Sequence, residues 1–317
     1  MLCRMTMRAL VAGFIALVLA GCSSSVAESG SPPATMAAPS KTATLATFPT
    51  VRFDGHIAVS GGRSLAVRCL GTGSPTILLE GGGTRAWMGQ WGTAFPTSLA
   101  RLATVCTYSH AGHGSSPASE PITWAAVLGD ADAVLAGVRA KAGINGPYLF
   151  VGWSFGGEVA LGEAVEDLSR TAGLVILDTD FPVDFIPTCE ATGESKADCQ
   201  ADYNSDLEAK RIEDDLVKTI KPLPNIPIEL VSAIRPPYDC AVAPGASALT
   251  QNIETKVISA PDCKALLRAI ADYDLTQWRS LGPQVGQTLV DADHDGLIDL
   301  AGPQIVDVIT GVLAQVH

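Results

Sequence analysis

Short apolar runs rich in β-branched and aromatic residues recur along the chain after residue 50, and helix-forming stretches separate most of them. The first two runs, residues 52–60 and 64–70, are joined by Gly61 and Gly62, which predicts a hairpin. The later runs have the length of strands and lie at residues 76–79, 104–108, 148–153, 174–177, 228–234 and 287–290. Strand and helix in alternation predict an α/β fold, in which helices flank a mostly parallel sheet.

Two of the separating stretches have clear helical periodicity. Residues 122–142 place four apolar side chains along one helical stripe, namely Val127, Val134, Leu135 and Val138. Residues 303–316 also have apolar residues at helical spacing, and Pro303 stands where the first turn of a helix accepts proline. Both stretches are predicted to be helices that cover the sheet.

Two regions interrupt the alternation. Residues 181–225 are long, charged and contain Cys189 and Cys199, which indicates a small lid inserted after the sixth core strand. Residues 235–260 form a second irregular stretch with little periodicity.

The first residues have the pattern of a bacterial export signal. Arg4 and Arg8 precede an apolar run at residues 9–19, which is too short to span a membrane but suits the central region of a signal peptide. The run ends in Leu19-Ala20-Gly21-Cys22, which resembles the bacterial lipobox, in which the Cys becomes the lipidated N-terminal residue.

Three parts of the chain follow from this pattern. Residues 23–49 are rich in Ser, Ala, Pro and Thr and cannot bury a core of their own. We therefore expect a signal peptide at residues 1–21, a lipidated Cys22 with a disordered tether to residue 50, and one globular domain at residues 51–317. The expected location is the cell envelope, with the lipid in the outer face of the cytoplasmic membrane.

Composition narrows the choice of partners. The chain has a formal net charge of −12, with 47% hydrophobic and 17% charged residues, which is enough apolar material for one large core. An acidic surface repels phosphate backbones and anionic headgroups, so we expect no nucleic-acid partner and no electrostatic membrane docking.

Cysteine usage agrees with export. Apart from Cys3 and Cys22, six cysteines remain in the expected domain, and an even number in an exported chain indicates disulfides. No Cys-x-x-Cys pattern occurs, which argues against a zinc site.

A nucleophile elbow is indicated by Gly152-Trp153-Ser154-Phe155-Gly156, which follows an apolar strand and precedes a helix-forming run. The turn in such a motif is so sharp that side chains two residues either side of the Ser would clash, so both positions are Gly. The Ser hydroxyl is exposed at a helix N-terminus, whose N–H groups favour developing negative charge. Ser154 is the predicted nucleophile.

The general base must be a histidine, and the chain has five: His56, His110, His113, His294 and His317. In this architecture the base follows the nucleophile and the acid along the chain, which excludes the first three. His317 is the last residue, where chains fray. His294, directly after the last predicted strand, is therefore the predicted base, and His113 is expected to line the site.

Two backbone N–H groups are predicted to form an oxyanion hole, those of Phe155 and Gly82. Phe155 directly follows the nucleophile, and Gly82 lies in the loop after the third strand, as this architecture requires. That loop reads Leu79-Glu80-Gly81-Gly82-Gly83, and its missing side chains would let the backbone approach a substrate carbonyl. The alternative for three consecutive Gly is a plain flexible turn.

Three segments together make the chain similar to the α/β-hydrolase superfamily, in particular to its serine esterase and lipase-like branch, over essentially the whole length after Val51. They are the loop at residues 79–83, the Tyr-x-x-x-Gly-x-Gly-x-Ser segment at 108–116 and the elbow at 152–157. Trp153 departs from the family, where His is common, and Ser109 stands where Asp is common. The resemblance implies hydrolysis through an acyl-enzyme, without metal or cofactor.

The resemblance leaves two candidates for the acid that orients His294. Asp178 ends the sixth core strand in a Leu-Asp-x-x-x-Pro setting similar to that of pancreatic lipases, which take their acid from this strand. Asp239 follows the seventh strand, where most of the family keeps its acid, but no Gly ends that strand and two Pro precede the Asp. We favour Asp178, because a rigid strand end holds the imidazole better than a loop; its alternative role is to cap a turn.

The resemblance also bears on the disulfides. The family's strand order places the strand of Cys69 beside that of Cys106, which implies a bridge between them. Bridge geometry favours cysteines that are local in the chain or on neighbouring strands. We therefore expect Cys189–Cys199 to close the lid and Cys240–Cys263 to pin the second irregular stretch.

Residues 291–299 allow a second interpretation. They place Asp at positions 1, 3, 5 and 9 and Gly at position 6 of a calcium loop, but position 12 falls on Gly302 and the preceding segment is a strand. We favour the catalytic interpretation, because His294 is the one usable base and needs this location.

The predicted function is hydrolysis of carboxylic esters by Ser154, His294 and Asp178, on a small-molecule or lipid-like substrate. An amidase, peptidase or thioesterase would use the same groups. A protein of another class, a lipoprotein that uses the fold only to bind a ligand or a partner, is the remaining alternative, since fold alone does not settle function.

Overall fold

The structure is a computed structural model and describes residues 49–83, 88–118, 122–183, 195–205, 207–235 and 260–316, together with residues 186 and 190. Residues Thr47–His317 form one compact unit. The predicted signal peptide and almost all of the predicted tether lie outside the described residues. Among the residues described, no helix is long and apolar enough to cross a membrane.

The described strands form one eight-stranded sheet in the order β1-β2-β4-β3-β5-β6-β7-β8. β2 pairs antiparallel with β1 and with β4, and every other neighbouring pair is parallel. The strands are β1 (Val51–Ala58), β2 (Ser64–Leu70), β3 (Thr76–Glu80), β4 (Thr104–Tyr108), β5 (Tyr148–Trp153), β6 (Thr171–Leu177), β7 (Ile228–Ala233) and β8 (Val285–Val290).

The described helices connect the strands and cover the sheet. They are α1 (Ala94–Leu99), α2 (Trp124–Ala142), α3 (Phe155–Glu166), α4 (Lys196–Ser205), α5 (Leu207–Val217), α6 (Ala260–Trp278) and α7 (Leu297–Leu313). The predicted α/β-hydrolase fold, a mostly parallel sheet flanked by helices, is confirmed.

Two apolar cores lie on opposite faces of the sheet. Every residue of the central strands β3 and β5 is buried, as expected for parallel strands that helices cover on both sides. Side chains of α2 and α3, among them Val134 and Leu161, pack on one face with Phe150. Side chains of α1 and α7, among them Leu99 and Ile305, pack on the other. The predicted catalytic residues Ser154, Asp178 and His294 follow the ends of β5, β6 and β8.

Three of the four residues predicted for the apolar stripe of α2, namely Val134, Leu135 and Val138, are buried, and the partly buried Val127 packs against the same core. The helix begins two residues later than predicted, since the Thr123 side chain accepts a hydrogen bond from the Ala126 N–H and caps it. It ends at Gly143, which has the left-handed φ of 62° that favours glycine.

The predicted start of the last helix at Pro303 is wrong. α7 begins at Leu297, and Pro303 lies inside it. Leu297, Ala301 and Ile305 are buried on one stripe, so burial extends the helix toward its N-terminus. The carbonyl that Pro303 leaves without a helical donor belongs to exposed Asp299, where water can satisfy it.

The insertion predicted at residues 181–225 contains α4 and α5 between β6 and β7. Ile212 and Leu216 of α5 are buried in the core that also contains α2 and α3, so part of the insertion is integral to the domain. That it acts as a lid stays a prediction. The second irregular stretch lies outside the described residues except for Arg235 and Ala260.

A disulfide joins Cys69 on β2 to Cys106 on β4, the pair that the family's strand order implies. The two residues are directly opposite in the antiparallel pairing, with their Cα atoms 4.1 Å apart. Cys199 is also disulfide-bonded. Because Cys189 and Cys240 lie outside the described residues, the pairings Cys189–Cys199 and Cys240–Cys263 stay predictions.

Candidate active site

Ser154 occupies the turn between β5 and α3 in a strained backbone conformation. Its φ of 54° and ψ of −129° fall in a region that costs a non-glycine residue on the order of 1–3 kcal/mol. Three hydrogen bonds hold the turn: the Ser154 N–H donates to the Leu177 carbonyl, and the Ser154 carbonyl accepts from the Gly157 N–H and the Thr179 hydroxyl. The surrounding structure thus fixes this conformation at the N-terminus of α3.

The glycines around Ser154 are required by close packing, as the sequence pattern predicts. A Cβ on Gly152 would meet the Gly156 carbonyl, and a Cβ on Gly156 would lie against the carbonyls of Glu80 and Gly81. The elbow is therefore in direct contact with the end of β3, where the glycine-rich loop begins.

His294 and Asp178 are brought together from positions 116 residues apart in the chain. The Nδ1 atom of His294 lies 2.7 Å from Oδ2 of Asp178. The other carboxylate oxygen accepts the Ala233 N–H at 2.8 Å, and the Asp178 N–H donates to the Val231 carbonyl. Asp178 is thus fixed at the end of β6 by two backbone bonds to β7. The competing candidate, Asp239, lies outside the described residues.

The imidazole of His294 lies beside the elbow. Its ring centroid is 5.9 Å from that of Trp153, the residue before Ser154. The hydrogen bond that His294 donates to Asp178 is the largest cause that raises the pKa of His294. The charges of Asp178, Asp295 and Asp180 raise this pKa further, against the opposing effect of burial. The site therefore favours the imidazolium that a general base becomes.

Sequence reasoning missed a group of carboxylates near this pair. Burial raises the pKa of Asp274 on α6 to about 8, and Asp180 adds to the shift. Burial likewise raises the pKa of Asp180 and brings that of Glu158 to about 8, with Glu213 contributing to the latter. Asp180 follows Asp178 by two residues, but the other three carboxylates come from α3, α5 and α6 and are close to it only in the folded chain.

The glycine-rich loop lies on the nucleophile. A Cβ on Gly82 would be 2.8 Å from Cβ of Ser154 and 2.6 Å from the Trp153 carbonyl oxygen, so Gly82, the predicted oxyanion donor, lies directly beside Ser154. Its N–H, however, donates to Oε1 of Gln90 at 3.1 Å, and Nε2 of Gln90 donates to the Gly82 carbonyl at 3.1 Å. Sequence reasoning did not single out Gln90. Phe155, the other predicted donor, is the first residue of α3.

The two departures from the family pattern have structural roles. The Ser109 hydroxyl accepts the Met88 N–H at 3.1 Å, which fixes the segment that follows the glycine-rich loop. Trp153 packs edge-on against Trp91 at a centroid distance of 6.2 Å. Both residues therefore support the loops around Ser154.

The segment at residues 108–116 packs on the same end of the sheet. Nε2 of His110 lies 3.2 Å from a carboxylate oxygen of the fully buried Glu80. The His110 ring stacks on Tyr108 and meets Phe155 edge-on at 6.5 Å. His113, which was expected to line the site, lies in the turn that follows, where the Ser116 N–H donates to its carbonyl.

The residues of the calcium-loop alternative have protein partners. Asp291 pairs with Arg235 at 3.2 Å, Asp293 accepts the Gly296 N–H at 2.7 Å, and His294 bonds Asp178. Over the described residues, which include 291–299, no group of three or more His, Cys, Asp or Glu side chains could hold a metal ion.

The chain belongs to the alpha/beta hydrolase family, because the model of that family matches residues 77–307, more than half of the chain. No curated protein is significantly similar to the chain in sequence.

Solved structures share the fold at low sequence identity. Alpha/beta hydrolase domain-containing protein 10 from mouse is 15% identical with a TM-score of 0.54, and the match covers 84% of this chain and 100% of that one. The esterase Pf2001 from Pyrococcus furiosus is 14% identical with a TM-score of 0.52, covering 84% and 93%. A predicted CIB-like hydrolase from Thermoplasma acidophilum is 14% identical with a TM-score of 0.51, covering 84% and 98%.

Proposed function

We propose that the protein is a serine hydrolase that cleaves carboxylic esters, with Ser154 as nucleophile, His294 as general base and Asp178 as the acid that orients it. The observation that carries the proposal is the 2.7 Å contact between His294 Nδ1 and Asp178 Oδ2 beside the strained elbow. Such a bond fixes the imidazole tautomer, because Nδ1 must carry the proton that it donates to the carboxylate.

The tautomer sets the direction of proton transfer. With Nδ1 bound to Asp178, Nε2 is the nitrogen that can accept the Ser154 hydroxyl proton as the oxygen attacks the ester carbonyl. The imidazolium then protonates the leaving alcohol, and His294 activates water to hydrolyse the acyl-enzyme. Asp178 stabilises the positive ring throughout, in line with the raised pKa of His294.

The oxyanion of each tetrahedral intermediate would lie between the N–H groups of Phe155 and Gly82. The Phe155 N–H opens α3, where the helix dipole adds to the stabilisation of negative charge. Gly82 is in contact distance of Ser154, and the missing side chain is what allows this approach.

Turnover of a short p-nitrophenyl ester tests the function. Ser154→Ala and His294→Ala should each lower kcat by roughly four to six powers of ten while the thermal transition stays close to that of the parent. Turnover should persist in excess chelator, because no metal takes part. Retained turnover in either variant would refute the assignment of the triad, and loss of activity on chelation would favour the calcium interpretation.

We also propose that the enzyme is exported and tethered through a lipid on Cys22, with residues 23–50 spacing the domain from the membrane. The support is the order of Arg4, Arg8, the apolar run and the small residues before Cys22. Cys22→Ser should move the protein from the membrane fraction to the soluble fraction. An unchanged distribution would exclude lipid anchoring at this residue.

A further inference from the structure

Gln90 makes a two-point contact with the backbone of Gly82. Its Oε1 accepts the Gly82 N–H at 3.1 Å, and its Nε2 donates to the Gly82 carbonyl at 3.1 Å. The two contacts fix the orientation of the side-chain amide, since only this arrangement matches donors with acceptors. The oxygen of the Gln90 side chain therefore accepts the N–H that is the proposed second donor of the oxyanion hole.

The segment that carries Gln90 is anchored on both sides. Met88–Trp91 forms a short 3-10 helix, and the Met88 N–H donates to the Ser109 hydroxyl at 3.1 Å. Trp91 is 1% exposed and stacks on Phe95 at a centroid distance of 5.6 Å. Gln90 itself is half-buried. Because the backbone is fixed, the side chain of Gln90 is the part that can move.

We propose that Gln90 is a latch on the oxyanion hole: it holds the Gly82 N–H in the resting enzyme and gives it up to the oxyanion of the transition state. This inference rests on the proposed function of Ser154. The neutral carbonyl of a bound ester offers no stronger acceptor than the amide oxygen of Gln90. An oxyanion is a stronger acceptor than Gln90, since hydrogen bonds to charged acceptors are roughly twice as strong as those to neutral ones.

The latch makes one donor act selectively in the transition state. Interactions that strengthen between the bound substrate and the transition state raise kcat, whereas those present in both affect KM. Part of this stabilisation of the transition state is lost, because the contact between Gln90 and Gly82 must first be broken. Gln90 is thus a positioning residue that acts through Gly82. Without Gln90, the free N–H can bond the carbonyl of the bound ester as well as the oxyanion, so removing Gln90 should lower KM and change kcat less.

Gln90→Met tests the latch, because methionine has a similar length and neither donates to the carbonyl nor competes strongly for the N–H. We expect kcat/KM for a p-nitrophenyl ester to rise about fivefold, the equivalent of one net hydrogen bond, mainly through a lower KM. Affinity for a boronic acid, whose adduct with Ser154 resembles the tetrahedral intermediate, should rise by a similar factor. Gln90→Glu places a negative charge where the oxyanion forms and should lower kcat.

Gln315→Met is the matched control. The Gln315 side chain donates to the Gly311 carbonyl at 3.2 Å on the exposed end of α7, so the same substitution there should leave both kcat and KM unchanged. If Gln90→Met lowers kcat/KM or leaves both kcat/KM and the boronic acid affinity unchanged, Gln90 does not compete for the N–H and the inference is overturned.

Amide hydrogen exchange at Gly82 tests the contact without reference to activity. The Gly82 amide should exchange more slowly in the parent than in Gln90→Met, and equal rates would overturn the latch. If the parent shows the slow exchange but neither hydrolyses esters nor forms a boronate adduct, the proposed function fails while the hydrogen bond to Gln90 stands. If the parent is active and Gln90→Met has no higher kcat/KM, the latch fails while the proposed function stands.

Discussion

The two halves of the candidate site are held in different ways. On the base side, backbone hydrogen bonds fix both Asp178 and the Ser154 turn, and they come from the adjoining strands β6 and β7. On the oxyanion side, the N–H of Gly82 is held by the side chain of Gln90. A catalytic donor is most effective when it is oriented before the reaction, so a Gly82 N–H that must first leave Gln90 would give up part of its effect. The comparison indicates a rigid half and an adjustable half.

The largest expected effect lies in the rigid half. Asp178→Asn keeps the bond to the Ala233 N–H but no longer selects the tautomer that leaves Nε2 of His294 free to accept a proton. We expect kcat to fall by roughly three to four powers of ten, measured by ester turnover. Asp239→Asn is the matched comparison and should remain nearly active. The reverse pattern would move the acid to Asp239.

A substitution in the adjustable half should lower kcat by a smaller factor. Gly82→Ala introduces a Cβ within 2.8 Å of Cβ of Ser154 and 2.6 Å from the Trp153 carbonyl oxygen, so the loop must move and the donor with it. Loss of one oxyanion donor lowers kcat by about 10²–10³. A loss as large as that of Asp178→Asn, with an unchanged thermal transition, would contradict the distinction between the two halves.

The carboxylates around His294 should affect how the activity depends on pH. The base must be neutral, so kcat/KM should fall as the pH drops through the raised pKa of His294, above its ordinary value of 6.5. Asp295→Asn removes one of the charges that raise this pKa. The acidic limb of the pH profile should therefore move to lower pH, while the plateau at high pH stays the same. A limb that does not move would exclude an electrostatic effect of Asp295 on the base.

The smallest effect concerns stability. The pKa of Glu158 is about 8 in the folded protein against 4.5 ordinarily, so between these values the unfolded chain loses its proton first and stability falls as the pH rises. Glu158→Gln removes this dependence and should raise Tm relative to the parent at pH 8–9, by roughly 2–4 °C per kcal/mol recovered, with less gain at pH 4–5. Glu166→Gln, on the exposed end of the same helix, is the matched control. An equal gain at both pH values would exclude proton linkage.

Local patterns predicted most of the fold. The bounds of β4 and β5 agree with the prediction to the residue, because short apolar runs ended by turn residues define them. The nucleophile elbow could be predicted because the close packing that requires its glycines involves residues only a few positions apart in the chain. Pro303 misled the prediction, because burial along α7 outweighs the local preference of proline for a first turn.

Contacts that depend on tertiary structure could not be predicted in this way. Gln90 is eight residues from Gly82, and no periodicity signals that its amide turns back to the backbone. The proximity of Asp274 to Asp180 likewise arises only when α6 packs beside the segment that follows β6. Sequence patterns therefore indicated the groups that do the proposed chemistry. They did not indicate the carboxylates that surround these groups, or Gln90, which binds the N–H of Gly82.

Covalent labelling of Ser154 tests the central proposal most directly. A fluorophosphonate reacts with a serine only when a general base activates it, so the account predicts one adduct per chain on the peptide that contains Ser154, with no labelling of Ser154→Ala and strongly slowed labelling of His294→Ala. Labelling of the folded Ser154→Ala variant at the rate of the parent, or a parent that stays unlabelled, would contradict it.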